Sequence, residues 1–383
     1  MNNLFIVNTP YHLLTSFILS QSFTPPHTSS KTYQNFPVQS KYQNSNEIIN
    51  NYLIIIRATN YSSWKNNSIM SYMSSKKCGY ADVFPLIHFL SRFNQTSYRK
   101  QVENIKQTFN NIHFDNVFLG NDLEPKNQLL LATLNITHFN RFEDGLYSYY
   151  DRKIYHNIFN AYFNKFKIYI QKKLYGINGK IYINTISDGS SKAGISDYLY
   201  NPNLLEKSSP CPINIQTNTI FNSLSTLKIA LNLKPKFKQK TILFFGQPFV
   251  ERNLLSIESE LHFLKTIANF CKKNNIKFLY KPHPYDNKEK INKIKYTISD
   301  IIIYNSIEPA EILYFIESNL ISVISYQSTA LIHINKFSNH TIKAISLMNL
   351  TNIPLDNSCK KIMHLSNVYF PTNIQNLIHH LSN

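Results

Sequence analysis

The stretch "LNLKPKFKQKTILFFGQP", Leu231–Pro248, decides how the chain is divided. Its first ten residues are basic and hold one proline, the composition of a linker. They lead straight into "TILFFG" (Thr241–Gly246), a short apolar run that reads as a fresh buried strand. From there strands and helices alternate. A helix is expected over about 256–274, followed by strands at "IKFLY" (Ile276–Tyr280) and "DIIIYN" (Asp300–Asn305). A helix at about 309–318, the strand "LISVIS" (Leu320–Ser325) and one more helix complete the run.

The first half has the same rhythm. "LFIVNTP" (Leu4–Pro10) reads as strand and turn, and "YHLLTSFIL" as the helix after it. "NYLIIIRAT" (Asn51–Thr59), "NVFLGN" (Asn116–Asn121) and "THFNRFEDG" (Thr137–Gly145) read as further strands ending in polar turns. The span 151–175 is expected to be a basic amphipathic helix, with its aromatics packed into the core in the favoured reading. The alternative turns its lysines toward anionic lipid at the inner membrane. Residues 22–48 are rich in Ser, Thr, Pro, Asn and Gln and read as a loop or insertion without an assigned role; 200–218 is a polar, proline-marked zone. Alternation of this kind implies parallel sheets covered by helices. The fold class is therefore α/β, with two Rossmann-type lobes, residues 1–235 and 236–383, and a ligand site expected in the cleft between them.

A chain of 383 residues fits two domains, and a hydrophobic fraction of 43% excludes global disorder. Forty basic against 22 acidic side chains give a net charge of +18. Lys, Asn, Ile and Tyr are all abundant, so compositional drift explains part of the excess; an anionic partner explains the rest. Four cysteines without C-x-x-C spacing argue against a zinc site or disulfide scaffold and suit a reducing cytoplasm. The N-terminus has no basic n-region, and no run approaches the roughly 18 apolar residues of a membrane span. A cytoplasmic protein, peripheral to the membrane at most, is expected.

Ligands of open parallel sheets bind beyond the carboxyl ends of the strands. In the second half these ends are Gly246-Gln247-Pro248, Lys281-Pro282-His283-Pro284, Ser306-Ile307-Glu308-Pro309 and Ser325-Tyr326-Gln327-Ser328-Thr329. Ser328 and Thr329 open a helix, where unpaired N–H groups favour a phosphate. Lys281 and His283 add charge-assisted donors, and Glu308 can accept from ribose hydroxyls. Together they describe a nucleotide pocket. Each has a plainer reading, a loop histidine or an N-cap, and the coincidence on consecutive strand ends favours the pocket. In the first half Glu143 and Asp144 precede Gly145 at a strand end, as a general base would or as a solvated turn would. "NTPYH" (Asn8–His12) faces the same edge; Ser187–Ser190 reads as an ordinary turn.

Glu143-Asp144-Gly145, His283-Pro284 and Ser328-Thr329, in this order, resemble the motifs of bacterial GT-B sialyltransferases. The resemblance is to glycosyltransferase family 52, the lipooligosaccharide sialyltransferases, and to the related capsule polysialyltransferases; Thr9-Pro10-Tyr11-His12-Leu13 matches their opening turn. It implies a GT-B-like fold whose N-terminal lobe binds acceptor and whose C-terminal lobe binds the CMP of a CMP-sialic acid donor. The implied reaction inverts the anomeric centre and needs no cofactor and no metal. Asp144 or Glu143 would be the base, with Glu251 of "GQPFVERN" as a rival, and His283 would assist the departing phosphate. The acceptor would be a terminal sugar of a lipooligosaccharide or capsule glycan. Two other classes compete: another glycosyl- or glycerol-phosphate transferase of this fold, and a non-enzymatic basic binder of nucleic acid or polysaccharide. The lysines are spread along the chain without an Arg-rich tract or RNA-binding motif, so nucleic acid is not the expected partner.

Overall fold

The first strand, Asn2–Val7 (β1), is apolar from Leu4 to Val7 and buried on both faces from Asn3 onward, as the central strand of a parallel sheet must be. A computed structural model describes residues 1–23, 48–56, 61–86, 95–151, 158–182 and 191–383. Most of the polar insertion and the whole Ser187–Ser190 turn lie outside the described residues. The chain separates into two units, Met1–Ser223 and Leu224–Asn383.

Unit 1 is built on seven parallel strands. After β1 come β2 (Asn50–Ile56), β3 (Tyr80–Leu86), β4 (Asn116–Leu119), β5 (Phe139–Phe142), β6 (Gly194–Leu199) and β7 (Pro212–Asn214). Their spatial order is β3-β2-β1-β4-β5-β6-β7. The order reverses between β1 and β4, the topological switch point where open α/β sheets bind ligands. A ladder of amides, Asn3 and Asn51 buried among them, pins the register at the other end: Asn3 donates to Asn51 at 2.9 Å and accepts from Asn116 at 3.0 Å.

Unit 2 repeats the plan with β8 (Thr241–Phe245), β9 (Lys277–Lys281), β10 (Ile301–Ile303), β11 (Leu320–Ser325) and β12 (Lys343–Ser346). The order is β10-β9-β8-β11-β12, all parallel, with its switch point between β8 and β11. The helix Ile257–Lys273 follows β8; Ser256 caps its N-terminus and acids fill its first turn, both favourable there.

Three local findings refine the reading of the sequence. The proline-marked zone contains β7 and runs into the helix Thr217–Ala230. The basic stretch after that helix is no free tether. The backbone N–H groups of Lys236 and Phe237 donate to the buried Glu317 carboxylate at 2.9 Å, and Phe237 is itself buried. Finally, the basic helix, Ile158–Leu174, leaves Tyr162, Phe163, Phe166 and Tyr169 exposed rather than packed into the core. Core burial falls to Ile168, with Tyr175 just beyond the helix end. Among the described residues no helix is long and apolar enough to cross a membrane.

Candidate active site

In unit 1, β5 delivers Glu143 and Asp144 to the carboxyl edge, and Gly145 follows at φ 98°, a conformation that only glycine adopts easily. The two carboxylates diverge, so they do not share a site. Glu143 is fully buried, with Oε1 accepting from the Tyr11 hydroxyl at 3.0 Å. Its Oε2 accepts from the Tyr149 hydroxyl and from the Tyr200 N–H, the latter at 2.9 Å. Burial first, then the Glu143 charge, holds the Tyr149 phenol well above its ordinary pKa, which keeps it a donor.

Asp144 is one-third exposed, and its two oxygens are separately held. Oδ2 accepts from Asn121 Nδ2 at 3.0 Å, and Oδ1 faces His12 Nε2. Asn121 is fixed in turn, because its Oδ1 accepts from the N–H groups of Leu123 and Glu124 at 2.9 and 3.0 Å. His12 lies in the first turn of the helix Pro10–Phe23 and is almost fully buried, edge-on to Phe142. Its Nδ1 accepts from the Asn8 N–H at 3.4 Å, so the neutral ring carries its proton on Nε2, toward Asp144. Gly120, just past β4, lies against the ring: a Cβ there would stand 2.6 Å from His12 Nε2. The switch point between β1 and β4 thus supplies both supports of the Asp144 carboxylate.

A small pocket beside Asp144 is lined by Gly120, Arg141, Ser148, Asp197 and Lys207. Arg141 is held there by donating through Nε and Nη2 to Asp197 at 2.5 and 3.0 Å and through Nη1 to Asp122 at 3.3 Å. Burial opposes the guanidinium charge, but the two aspartates outweigh it and raise its pKa.

In unit 2, Gly246 ends β8 where a Cβ would meet the Tyr280 hydroxyl at 2.4 Å and the Asp286 carboxylate at 2.6 Å. The His283 loop wraps this point. The His283 N–H and the Tyr280 hydroxyl both donate to Asp286 Oδ2 at 2.9 Å. His283 Nδ1 accepts from the Tyr285 N–H at 3.1 Å, which leaves Nε2 as the donor of the neutral ring. Burial lowers the His283 pKa, opposed by Asp286. Beneath the loop the buried Lys290 ammonium contacts Asp286 and Glu260 at 3.1 Å, Glu251 at 3.6 Å and the Gln247 carbonyl at 2.8 Å. Burial raises the Glu260 pKa to about 7 against the pull of Lys290. Glu251 also accepts from the Asn287 N–H at 2.9 Å, so it ties down this loop.

The remaining expected residues are held as follows. Lys281 donates to the Ser306 carbonyl, and burial lowers its pKa to about 8 against Glu308 and Glu311. Glu308 is buried and accepts from the Ser306 hydroxyl at 2.5 Å. Ser325 donates to the Phe245 carbonyl at 2.9 Å, joining β11 to β8 at the switch point. Ser328 caps the helix Thr329–Ile332 through Ala330 N–H at 3.3 Å, and Pro284 is exposed. That helix is only four residues long, so local N–H groups rather than a macrodipole are what it offers an anion.

Residues 3–348 match the profile of a family described as "Alpha-2,8-polysialyltransferase (POLYST)". The chain belongs to the alpha-2,8-polysialyltransferase family. A curated relative is the CMP-N-acetylneuraminate:beta-galactoside alpha-2,3-sialyltransferase of Pasteurella multocida (strain Pm70), 24% identical over 267 residues, 69% of this chain and 74% of that protein. Among solved structures, UDP-GlcNAc 2-epimerase from Neisseria meningitidis bound to UDP-GlcNAc aligns with a TM-score of 0.51 at 12% identity, covering 100% of this chain and 91% of that one. The GT-B domain of the Photobacterium damselae sialyltransferase aligns at a TM-score of 0.42 and 12% identity, over 97% of this chain and 100% of that one. The polysialyltransferase-family chain therefore has the GT-B-like, two-sheet α/β architecture expected of it.

The motif "NTPYH" marks the strand edge that holds His12 but not its role, and no motif marks Gly120, Asn121 or the Lys290 cluster as parts of a site. The one available signal was "LGN" (Leu119–Asn121), a glycine and a capping asparagine directly after a central strand.

Proposed function

We propose that the protein is an inverting sialyltransferase that moves sialic acid from CMP-sialic acid to a terminal sugar of a cell-surface glycan, lipooligosaccharide or capsule. The observation that carries this reading is Asp144, an accessible carboxylate with each oxygen aligned by its own donor, in a chain of the polysialyltransferase family. Asp144 takes the proton of the acceptor hydroxyl as that oxygen bonds to the anomeric carbon from the face opposite the leaving group. Glu143, buried and fully engaged, holds Tyr11, Tyr149 and Tyr200 in place. The bond from the anomeric carbon to the CMP phosphate breaks with its electron pair on the phosphate. His283 Nε2–H donates to that oxygen, a role that a neutral imidazole fills. Gln247, Ser328, Thr329 and the backbone at Gly246 complete the phosphate contacts, Glu308 and Lys281 fix the loop on the ribose side, and no metal enters the chemistry.

Calorimetry with CMP, CDP, UDP, GDP and ADP tests the donor half. Selective CMP binding is expected, weakened in His283→Ala. The acceptor half is tested by Asp144→Asn, which should keep CMP binding and lose transfer by about 10²–10⁴-fold, the range of general-base catalysis. A preference for CDP would move the protein to the glycerol-phosphate transferases, and near-normal transfer by Asp144→Asn would remove the proposed base.

A further inference from the structure

The helix Ile158–Leu174 presents its apolar face outward. Tyr162, Phe163, Phe166, Tyr169, Ile170 and Leu174 are each 42–63% exposed. Relative to Tyr162 they stand at i, i+1, i+4, i+7, i+8 and i+12, which places all of them on one side of a 3.6-residue helix. The side facing the rest of unit 1 carries Ile168. By the same spacing Lys165 and Lys172 border the stripe on one edge, Lys167 borders it on the other, and Lys173 lies within it. At the helix's C-terminal end Arg99 donates to the Leu174 carbonyl at 2.9 Å and Lys106 to the Gly176 carbonyl at 3.3 Å, which adds cations from the neighbouring helix Gln95–Phe109.

We infer that this face is a docking surface for an anionic lipid bilayer. Tyr and Phe are the side chains that settle at a membrane–water interface, and the exposed stripe is long enough to lie in the plane of the headgroups. Lysines on both borders would reach anionic headgroups while their stems run along the apolar stripe. The net charge of +18 favours the same partner. A second copy of the chain fits less well, because a two-fold pairing of this stripe would bring like-charged borders together. Docking of this kind does not depend on which nucleotide sugar the protein uses.

The test is sedimentation of the full chain with vesicles of neutral phosphatidylcholine, with and without 30 mol% (about that fraction) phosphatidylglycerol, a content that gives a strongly negative surface. Wild type should bind the anionic vesicles, and binding should fall as salt shortens the Debye length. Changing Lys165, Lys167, Lys172 and Lys173 together to serine should weaken it by more than about a hundredfold, since each lysine near such a surface contributes about fivefold. Phe163→Ser with Phe166→Ser should weaken it as well while leaving thermal stability and CMP binding unchanged, because both rings are exposed. Wild type that ignores anionic vesicles, or variants that bind them as wild type does, would overturn the inference. So would a wild-type dimer that the phenylalanine pair converts to monomer without change in vesicle binding, which would assign the stripe to a second copy.

Discussion

Gly120→Ala adds one methyl group at the point where the supports of Asp144 converge. Gly120 does not have a positive φ, so alanine meets no backbone penalty and the effect is steric. The new Cβ would stand 2.6, 2.7 and 2.9 Å from His12 Nε2, Cε1 and Cδ2, all inside van der Waals contact. The ring cannot simply swing aside. It is 2% exposed, edge-on to Phe142 at 5.4 Å, and bonded at both nitrogens. Relief requires about an ångström of movement, which breaks the His12–Asp144 contact and leaves the carboxylate held by Asn121 alone. A misplacement of that size in a catalytic group costs about 10²-fold in turnover. Overpacking should also lower stability by about 1–3 kcal/mol. The assay is transfer from the proposed donor, CMP-sialic acid, to a glycan acceptor, with kcat and KM separated and urea denaturation alongside. A fall mainly in kcat is expected. The decisive comparison is a double-mutant cycle with His12→Ala, where the missing ring leaves room for the alanine. If Gly120 acts through His12, the second substitution adds almost nothing to the first. Additive losses, or a Gly120→Ala protein with normal kcat, would refute the reasoning.

Three further outcomes follow from buried charges. Glu143→Gln turns an amide NH2 against donors from Tyr11, Tyr149 and the Tyr200 N–H, and should lower stability by about 2–4 kcal/mol in urea denaturation. An unchanged midpoint with lost turnover would instead make Glu143 the base. Arg141→Met strands the buried carboxylates of Asp122 and Asp197, for an expected loss of about 3–5 kcal/mol. Urea denaturation measures that loss, and an unchanged midpoint would refute the pairing. Glu260 has a folded pKa of about 7, above its ordinary 4.5, so the folded state holds a proton that the unfolded chain releases. Stability should therefore decline as pH rises from about 4.5 to 7, by about 3 kcal/mol in total. Glu260→Gln should flatten that slope, and an unaltered slope would assign the proton elsewhere.

What could be read from the sequence followed physical rules about burial. β1, β8, β9 and β11 are short apolar runs because parallel strands are covered on both faces, so their composition alone identifies them. β6 ("GISDYL") and β7 ("PIN") lie at the sheet margin, where polar residues and proline are tolerated, and they carry no such signature. Asp144 was legible as a carboxylate at a strand end. His12 as its partner was not, because 132 residues separate the two and only the crossover from β1 to β4 makes them neighbours. The helix Ile158–Leu174 shows the limit of periodicity: spacing defines a stripe but not whether it faces the core or the solvent, and apolar residues occur on both sides. Lys290 gives the converse case. In sequence it stands in "NKEKINKIK", a solvated helix face by any pattern, yet it is buried because carboxylates from positions 251, 260 and 286 converge on it. Periodicity describes one helix at a time, whereas the burial of a charge is decided by groups that other elements bring to meet it. The parts of the site that sequence could not supply are those where a charged or polar group is paired with residues distant in the chain: His12 with Asp144, Arg141 with Asp122 and Asp197, and Lys290 with Glu251 and Glu260.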